Sequence, residues 1–491
     1  MNSLKTRAVV LAAGKATRFK TKKSKLLFNI CGRTMVLYPL KVLEELAIPM
    51  SIIVGYQADA LQQEITSASI AQVTYIHQTE QLGTGHAVAL SAATWDTENI
   101  LVLAGDTPLV TKDLIEKLIT EHKMRDATVS FLTTHVIDPT GYGRVIEQDG
   151  MYQIIEEKDC TEEQRNITCI NAGIYMMKTA FLQKYINTIE KNPISGEFYF
   201  VDLIKKASDN NYPVHTIAVP FDYVRGVNTL QELWEVEQIK RSEMIKHWML
   251  QGVRFELAQS IHIDLDVQIG AGSFIGTGAH LLRGTRIGEE CFVGAFSIIA
   301  NTVVGDNSTI HSHSVVQDSI IGCDVHVGPF ARIREHVSLG DNSEIGNFVE
   351  VKNSTIEASS KAKHLSYIGD TDAGRGVNIG AGTITCNYDG FKKSRTTIQD
   401  NAFIGSNNTL VAPITIGKGS YTAAGSVLSK NVPEESLAIG RARQENKAGY
   451  AKKMKEKLQK KDLKKNDVDP QEGQFNFRGA IKTETEHQEN R

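Results

Sequence analysis

A six-residue beat in the second half of the sequence constrains its fold more than any other feature. An aliphatic residue followed by glycine recurs from Ile269 to Gly417, at spacings that are mostly 6, 12 or near multiples of 6. Such a beat is typical of a hexapeptide parallel β-helix, in which one aliphatic side chain per face points inward and small neighbours allow the turns. The twelve pairs begin at Ile269, Ile275, Ile287, Val293, Val304, Ile321, Val327, Leu339, Ile345, Ile379, Ile404 and Ile416. The beat breaks between Ile345 and Ile379, which predicts a projecting loop there.

The first half of the chain, residues 1–228, has a different pattern. Short apolar runs at 8–11, 51–54 and 100–103 alternate with segments of helical spacing such as 35–46. This alternation predicts an α/β domain with a Rossmann-like, mostly parallel sheet and helices on both faces, where ligands bind beyond the carboxyl ends of the strands. We predict a connector helix over 229–252, the β-helix over 253–445 and a lysine-rich tail over 446–491.

Composition excludes several classes of protein. The 491 residues suffice for about three domains, and 41% hydrophobic residues are enough to bury real cores. A net charge of −3 gives no case for nucleic-acid binding. The six cysteines form no C-x-x-C pair, which favours free thiols in a reducing compartment. We find neither a signal peptide nor a run of about 18 apolar residues, so we expect no membrane span and a cytoplasmic location.

The tail has two interpretations. Residues 447–465 hold nine lysines, and the residues beyond them are polar. A charge run of this kind is usually a solvated segment, and binding to an anionic partner is the alternative.

The stretch Leu11–Leu27, LAAGKATRFKTKKSKLL, looks like a phosphate loop but is not a Walker A loop, because Ala-Thr-Arg follows Gly14-Lys15. A glycine turn after a strand can turn backbone N–H groups towards a phosphate, and Arg18 and Lys25 add positive charge. Taken alone, a strand followed by a turn and a solvated basic helix would look similar.

Later motifs in this half favour a nucleotide site. The loop at 78–87, QTEQLGTGHA, is rich in groups that read the edge of a base. Asp106 closes LAGD at a predicted strand end, where a carboxylate can hold Mg²⁺ between phosphates. DPTGYGR at 138–144, EEKD at 156–159, Asn171 and the segment 226–228 follow in order.

With these motifs the sequence resembles the bacterial family of bifunctional N-acetylglucosamine-1-phosphate uridylyltransferases / glucosamine-1-phosphate N-acetyltransferases, from about residue 7 to 445. EQLGTGHA together with DPTGYGR carries most of the specificity. The resemblance implies a left-handed β-helix and a homotrimer. For UTP, the resemblance implies that Leu11, Ala12, Ala13 and Gly14 line the site, that Arg18 and Lys25 contact the phosphates, and that Gln78, Gly83 and Thr84 recognise uracil. It implies that Asp106 and Asn228 ligate Mg²⁺. It also implies that Gly143, Glu156 and Asn171 hold N-acetylglucosamine 1-phosphate.

The reaction that the resemblance implies suits these residue types. The oxygen of the sugar 1-phosphate attacks the α-phosphorus of UTP in line, and pyrophosphate leaves. Positioning and charge neutralisation suffice, so no covalent nucleophile is needed. This agrees with the lack of a Ser-His-Asp or Cys-His arrangement in the first half.

A polar set among the β-helix coils suggests a second site. His364 lies in KAKHLSYIGD, within the interval that breaks the beat. A lone histidine is more often a structural hydrogen-bonding residue, but an amine that attacks a thioester must lose a proton, and histidine titrates near the working pH. The resemblance makes His364 the general base, places Arg334, Lys352, Tyr367 and Asn378 on the amino-sugar phosphate, and lines the acetyl-CoA site with Ala381, Asn387, Tyr388, Ser406, Ala424 and Arg441.

The sequence departs from the family pattern at several positions. Ala16 replaces a glycine of the first loop, and Ser24 replaces the proline before Lys25. Glu335-His336 replaces Pro-Gly after Arg334, and a carboxylate beside a phosphate site is unwelcome unless it points away. Phe19 and Ala104 are further replacements.

Three functions remain to be weighed. The first is two-step synthesis of UDP-N-acetylglucosamine, by acetyl transfer from acetyl-CoA to glucosamine 1-phosphate and then uridylyl transfer from UTP, feeding cell-wall and lipopolysaccharide precursors. The second is nucleotidyl transfer alone, with the β-helix as a passive trimerisation scaffold. It predicts loss of the polar set around His364, which is present. The third is a binding protein with degenerate sites, disfavoured because Arg18, Lys25, Asp106 and Glu156 all remain.

Overall fold

The computed structural model describes residues 5–15 and 17–466, without the side chains of Thr17 and of 462–466. Ala16 and residues 467–491, on which two of the sequence-based interpretations depend, lie outside the described residues. The chain divides into one compact unit that ends at Gly440 and a second that begins at Arg441.

The first part of the chain forms a mostly parallel sheet. Its strands and a small hairpin are β1 (Thr6–Ala12), β2 (Asn29–Ile30), β3 (Arg33–Thr34), β4 (Met50–Val54), β5 (Val73–His77), β6 (Asn99–Ala104), β7 (Val129–His135), β8 (Arg144–Gln148), β9 (Met151–Ile155), β10 (Cys169–Lys178) and β11 (Val214–Ala218). The sheet order is β11-β7-β10-β6-β1-β4-β5, with β8 and β9 attached to β10. Strand β10 runs antiparallel to both its neighbours in this order, and β6, β1, β4 and β5 are parallel.

Helices cover both faces of this sheet. Val9 packs into one apolar core, whereas its neighbours Ala8 and Val10 pack into another on the opposite face. Strands buried on both faces are apolar throughout, and β4 is buried at all its positions. The predicted fold class is confirmed. The helices are α1 (Leu37–Glu45), α2 (Ala58–Ser67), α3 (Thr84–Leu90), α4 (Lys112–Met124), α5 (Glu162–Arg165), α6 (Thr179–Tyr185), α7 (Asp202–Asp209) and α8 (Leu230–Leu250).

Helix α8 joins the two parts of the compact unit. The side chain of Thr229 caps its first turn by accepting a hydrogen bond from the backbone of Glu232. Val236 belongs to a core of the α/β sheet, and Ile245 belongs to the core of the β-helix. Met244 packs against both.

The β-helix has three faces of short parallel strands. Face 1 consists of Arg254–Phe255, Phe274–Ile275, Phe292–Val293, Thr309–Ile310, His326–Val327, the first part of Glu344–Lys352, the first part of Lys361–Gly369, Asn378–Ile379, Phe403–Ile404, Tyr421–Thr422 and Leu437–Ala438. Face 2 consists of His262–Ile263, His280–Leu282, Ile298–Ala300, Val315–Gln317, Arg332–Arg334, the second parts of the same two long strands, Ile384–Cys386, Thr409–Val411 and Val427–Leu428. Face 3 consists of Gln268–Ile269, Arg286–Ile287, Val303–Val304, Ile320–Ile321, Ser338–Leu339, Thr355–Ile356, Thr371–Ala373, Thr396–Ile398 and Ile414–Ile416.

The aliphatic beat forms the interior of this β-helix, as predicted. All twelve aliphatic residues of the beat are buried, and each stacks on its partners in the coils above and below. Burying such a side chain stabilises the fold by about 1.5–3 kcal/mol relative to leaving it exposed. Glycine follows these aliphatic residues because successive coils approach closely there. A Cβ on Gly305, for example, would lie 2.7 Å from the carbonyl carbon of Gly322.

The prediction of a projecting loop between Ile345 and Ile379 is wrong. Two nine-residue strands, Glu344–Lys352 and Lys361–Gly369, run there in register across two faces. The beat is lost because inward residues such as Val351 and Ala362 precede lysine instead of glycine, although they remain buried. The excursion lies further on, at residues 387–395, between strands Ile384–Cys386 and Thr396–Ile398.

The second unit contains helix α9 (Tyr450–Asn466), whose residues are exposed as far as their side chains are described. Across residues 5–15 and 17–466, no helix is both long and apolar enough to cross a membrane. All six cysteines are free.

Candidate active sites

A cleft opens where four adjacent parallel strands of the α/β sheet end. Strands β6, β1, β4 and β5 present their carboxyl ends to the same edge, and the loops that follow them form a cleft of about 410 Å³. Among its lining residues are Leu11, Ala12, Ala13, Gly14, Lys25, Gln78, Gly83, Thr84 and Asp106, all predicted to lie in the UTP site.

The two predicted Mg²⁺ ligands meet at one cation. The ammonium group of Lys25 donates hydrogen bonds to a carboxylate oxygen of Asp106 and, at 2.9 Å, to the amide oxygen of Asn228. The backbone N–H of Val227 donates to the carbonyl of Asp106 at 2.9 Å, and the carboxylate of Glu232 accepts from the N–H of Asn228 at 2.7 Å. The end of β6 and the start of α8 therefore hold two oxygen ligands around one position.

Ser24 fits the position that the family fills with proline. Its φ of −56° lies within the range that proline allows, and its N–H donates to the side chain of Gln57 at 2.7 Å. A proline would keep the backbone conformation but lose this hydrogen bond.

The predicted uracil-reading residues line one wall of the cleft. Gln78 is buried, and its amide nitrogen lies 3.3 Å from the carbonyl oxygen of Gly83. Gly83 has φ +104°, and a Cβ there would lie 2.6 Å from the carbonyl oxygen of Phe198. The hydroxyl of Thr84 accepts a hydrogen bond from the N–H of Phe200 at 3.0 Å. Only glycine fits this wall at position 83, because it approaches the neighbouring backbone so closely.

The three residues predicted to hold the acetylated sugar also lie together. A Cβ on Gly143 would lie 3.6 Å from both carboxylate oxygens of Glu156, and the N–H of Asn171 donates to the carbonyl of Gly143 at 2.9 Å. Burial raises the pKa of Glu156, and nearby carboxylates, including Glu197 on the rim of the cleft, raise it further.

Arg18 behaves differently from the other predicted residues. Its side chain is exposed, does not line the cleft and makes no hydrogen bond with the described residues. The sequence interpretation missed three polar lining residues, Lys15, Gln81 and Glu197. Lys15 stands directly after Gly14 and could have been included on its charge, whereas Glu197 is brought in by tertiary structure alone.

A second polar cluster lies on face 2 of the β-helix. Arg334, Lys352 and Gly369 occupy the same position in three successive coils, and Tyr367 lies next to Glu350. Lys352 is buried, and its ammonium group lies 3.3 Å from the carboxylate of Glu335. Arg334 donates to Glu350 at 2.7 Å and also to Glu335.

The loop at residues 387–395 brings a further cation to this cluster. The proximity of the Lys352 ammonium group lowers the pKa of Lys393. Asn387 donates to the carboxylate of Asp370, and its amide nitrogen lies 3.4 Å from the hydroxyl of Tyr367. The sequence interpretation did not single out Lys393 or Asp370.

His364 lies at the corner between faces 1 and 2. Its side chain is exposed in a cleft of about 410 Å³, and its Nδ1 lies 2.9 Å from the amide oxygen of Asn347 on the preceding coil. With Nδ1–H donating to that oxygen, the lone pair of Nε2 is left to accept a proton. Asn347, which the sequence interpretation missed, therefore selects the tautomer that a general base needs.

Three of the predicted acetyl-CoA residues form a column along this same corner. The N–H of Asn407 donates to the carbonyl of Ala381 at 2.7 Å, and the N–H of Gly425 donates to the carbonyl of Ser406 at 2.8 Å. Ala381, Ser406 and Ala424 therefore occupy successive turns with small side chains. Tyr388 is exposed in the 387–395 loop, and Asn378 lies on face 1 next to Lys361. Arg441 belongs to the second unit.

Together the fold and these clusters indicate a transferase with two candidate active-site clefts, built from a nucleotidyltransferase domain followed by a hexapeptide-repeat domain. The family model for "Nucleotidyl transferase" matches residues 7–242, that for "GMPPB C-terminal domain" matches 257–361, and that for "Hexapeptide repeat of succinyl-transferase" matches 395–430.

Curated relatives cover almost the whole chain. The relative from an Exiguobacterium species is 42% identical over 452 residues, or 91% of this chain and 99% of the relative. The relative from Thermotoga maritima is 40% identical over 455 residues (92% and 100%), and that from Clostridioides difficile is 39% identical over 456 residues (92% and 98%). Each is named "Bifunctional protein GlmU", and this chain belongs to the GlmU family.

Membership of this family confirms the predicted enzyme. The chain is a bifunctional nucleotidyltransferase and acyltransferase, and its function is the two-step synthesis of UDP-N-acetylglucosamine. Nucleotidyl transfer on a passive scaffold is thereby disfavoured, because the β-helix belongs to a bifunctional family and carries its own polar cluster.

Proposed function

We propose that the two reactions run in the two clefts described above, with the residues predicted from the sequence in their predicted roles. Uridylyl transfer from UTP to N-acetylglucosamine 1-phosphate takes place in the cleft at the edge of the α/β sheet. Acetyl transfer from acetyl-CoA to glucosamine 1-phosphate takes place at the His364 corner of the β-helix. The observation that carries the proposal is the convergence of Lys25, Asp106 and Asn228 on one point beside the Leu11–Gly14 loop.

Asp106 and Asn228 suit Mg²⁺ by their chemistry. Carboxylate and amide oxygens are ligands that Mg²⁺ prefers, and both already share one cation, the ammonium group of Lys25. Two protein ligands leave coordination positions for substrate phosphates, which is the usual arrangement for this metal. Bound there, Mg²⁺ would neutralise phosphate charge during the transfer. Lys25 then turns to the phosphates, where its charge supports the departure of pyrophosphate.

In the same cleft the remaining residues orient the substrates. Gln78, Gly83 and Thr84 bind the uracil, and Gly143, Glu156 and Asn171 bind the sugar. Arg18, whose side chain is exposed, contacts the triphosphate. Holding the attacking phosphate oxygen in line with the α-phosphorus supplies much of the catalysis, because no covalent intermediate is formed.

At the second site His364 removes a proton from the attacking amine of glucosamine 1-phosphate. The hydrogen bond to Asn347 supports this role, since it leaves Nε2 free. Arg334, Lys352, Tyr367 and Asn378 bind the amino-sugar phosphate. Ala381, Ser406 and Ala424 leave a groove for acetyl-CoA, and Asn387 and Tyr388 complete it.

We further propose a homotrimer, with the acetyl-transfer sites between copies, and a cytoplasmic location beside its soluble substrates. An exposed apolar ridge supports the trimer. The rings of Phe296, His313, Phe330 and Phe348 stack along the corner that carries His364, with centroids 5.4, 4.9 and 5.4 Å apart. Leu365 continues the ridge and is 64% exposed. A contiguous exposed apolar surface of this kind marks an interface, and a second copy covers it here.

Light scattering on the purified chain tests the trimer. We expect a mass of three copies, because the ridge would otherwise remain in water on every molecule. A monomer at assay concentrations would contradict the assembly but not the uridylyl site, which lies within one chain.

Two separate assays test the assignment of reactions. Release of CoA thiol from acetyl-CoA should depend on glucosamine 1-phosphate and need no nucleotide. Release of pyrophosphate from UTP should depend on N-acetylglucosamine 1-phosphate and on Mg²⁺. Absence of thiol release from a folded trimer would leave nucleotidyl transfer alone. Pyrophosphate release that is unaffected by chelating Mg²⁺ would remove the proposed metal.

A further inference from the structure

The turn after Arg334 places a carboxylate between two cations. Glu335 accepts from the guanidinium of Arg334 and lies 3.3 Å from the ammonium group of Lys352. Lys352 is only 7% exposed, and Glu335 is its ion-pair partner among the described residues. These are the two cations that we assign to the phosphate of the amino sugar. The carboxylate of Glu335 therefore occupies the position that a phosphate oxygen would take.

The backbone of this turn is unusual for the residues it holds. Glu335 and His336 both have left-handed φ values, +57° and +61°. The corresponding corner three coils earlier, Arg283-Gly284, has the same pair of left-handed values, +52° and +66°, with glycine second. A left-handed non-glycine residue costs about 1–2 kcal/mol. The turn at 335–336 therefore holds His336 at a left-handed position that glycine fills in the earlier corner.

The strained turn is also held firmly. The N–H of His336 donates to the carbonyl of Asp318 at 2.9 Å, and the N–H of Asn353 donates to the carbonyl of Arg334 at 3.3 Å. Other corners between the same two faces, such as 301–302 and 353–354, have one residue fewer between strands. In this longer corner the side chain of Glu335 contacts both cations.

We propose that Glu335 sets the affinity of the acetyl-transfer site for its acceptor, as an internal counter-anion that the phosphate of the acceptor must displace. The proposal rests on the proposed acetyl transfer to glucosamine 1-phosphate. A phosphate monoester carries close to two negative charges at neutral pH and outcompetes a single carboxylate for Arg334 and Lys352. An unphosphorylated amino sugar has no group that displaces Glu335 and leaves its ion pairs intact. Glu335 thus lowers the affinity of the acetyl-transfer site for its phosphorylated acceptor.

The test compares Glu335→Gln with two controls on the full chain. Glutamine keeps the shape of the side chain and removes its charge. Glu290→Gln removes another exposed carboxylate at a left-handed position, one that forms no ion pair with the described residues. His336→Gly relieves the strain of the turn but keeps Glu335. For each variant, kcat and KM for glucosamine 1-phosphate are measured by CoA thiol release, and the dissociation constant of inorganic phosphate is measured by calorimetry.

We expect Glu335→Gln to lower KM for glucosamine 1-phosphate about fivefold, with kcat and KM for acetyl-CoA within about twofold, since partly exposed charge pairs have modest energies. Inorganic phosphate should bind about fivefold more tightly as well. Both controls should keep the wild-type KM. An unchanged or higher KM in Glu335→Gln would overturn the proposal, and so would a fall in KM in His336→Gly of the same size, because strain and not charge would then be the cause.

The phosphate titration separates this inference from the proposed function. If wild-type protein and every variant lack acetyl transfer, the proposed reaction fails, but calorimetry still reports on the anion site. Tighter phosphate binding to Glu335→Gln than to the wild type would then support the counter-anion role. Equal binding to both, including binding to neither, would refute it.

Discussion

Asp106→Ala should lower uridylyl transfer about a thousandfold while leaving acetyl transfer within about twofold of the wild type. Asp106 contacts Lys25 and lies beside Asn228, so its removal takes away both the proposed metal ligand and the partner of the catalytic ammonium group. The acetyl-transfer cluster lies on the β-helix, on separate elements of the fold. Pyrophosphate release and CoA thiol release, measured on the same preparation, check the result.

The controls separate chemistry from folding. Asp106→Asn keeps the shape but weakens the charge, and it should fall between the wild type and alanine. Asp59→Ala removes an exposed carboxylate of α2 that forms no ion pair with the described residues, and it should have no effect on either reaction. Loss of both activities in an Asp106→Ala protein with an unchanged thermal midpoint would refute the two separate sites.

His364→Ala should have the converse effect. We expect acetyl transfer to fall between about a hundredfold and ten-thousandfold, the usual contribution of a general base, and uridylyl transfer to stay unchanged. The reason is the hydrogen bond from Nδ1 of His364 to Asn347 on the preceding coil. This bond fixes the ring and leaves the lone pair of Nε2 free to accept a proton in the cleft. The rate of thiol release as a function of pH checks it, since the wild-type dependence on a deprotonated group should disappear with the imidazole.

Two further variants sharpen this test. Asn347→Ala should keep part of the activity, because the histidine remains but its tautomer is no longer selected. His135→Ala removes an exposed histidine of the α/β domain and should leave acetyl transfer intact. An acetylation rate that is unchanged in His364→Ala would assign the proton to another group while leaving the family of the chain as it is.

The β-helix was predictable because its signal is local. Each aliphatic residue of the beat lies a fixed number of positions from the next, and all twelve point inward. The interval from Ile345 to Ile379 misled because several of its inward residues are not followed by glycine, although Ile368-Gly369 keeps the pair. Val351 and Ala362 stay buried beside lysine, so the coils continue although the beat does not. The pattern thus specifies the core better than it specifies the turns.

The site residues depended more on resemblance than on pattern. Lys25 meets Asp106 across 81 positions of sequence and Asn228 across 203, and no periodicity connects such distant residues. Glu197, Asn347 and Lys393 escaped for the same reason, since only tertiary structure brings them to the clefts. Glu335 was noticed as a departure, but its contact with Lys352 required the left-handed turn that the structure provides.

Helix α8 makes the two catalytic halves one thermodynamic system. Val236 and Ile245 belong to different cores, and Met244 touches both. Opening either core removes apolar contacts from the other, so heat should melt both halves in a single cooperative transition. If the chain is divided at either end of this helix, the fragment that keeps α8 exposes apolar side chains of the helix. The other fragment loses the helix residues that complete its core. Any single cut that separates the two activities therefore leaves helix α8 with only one of the two cores that it packs against.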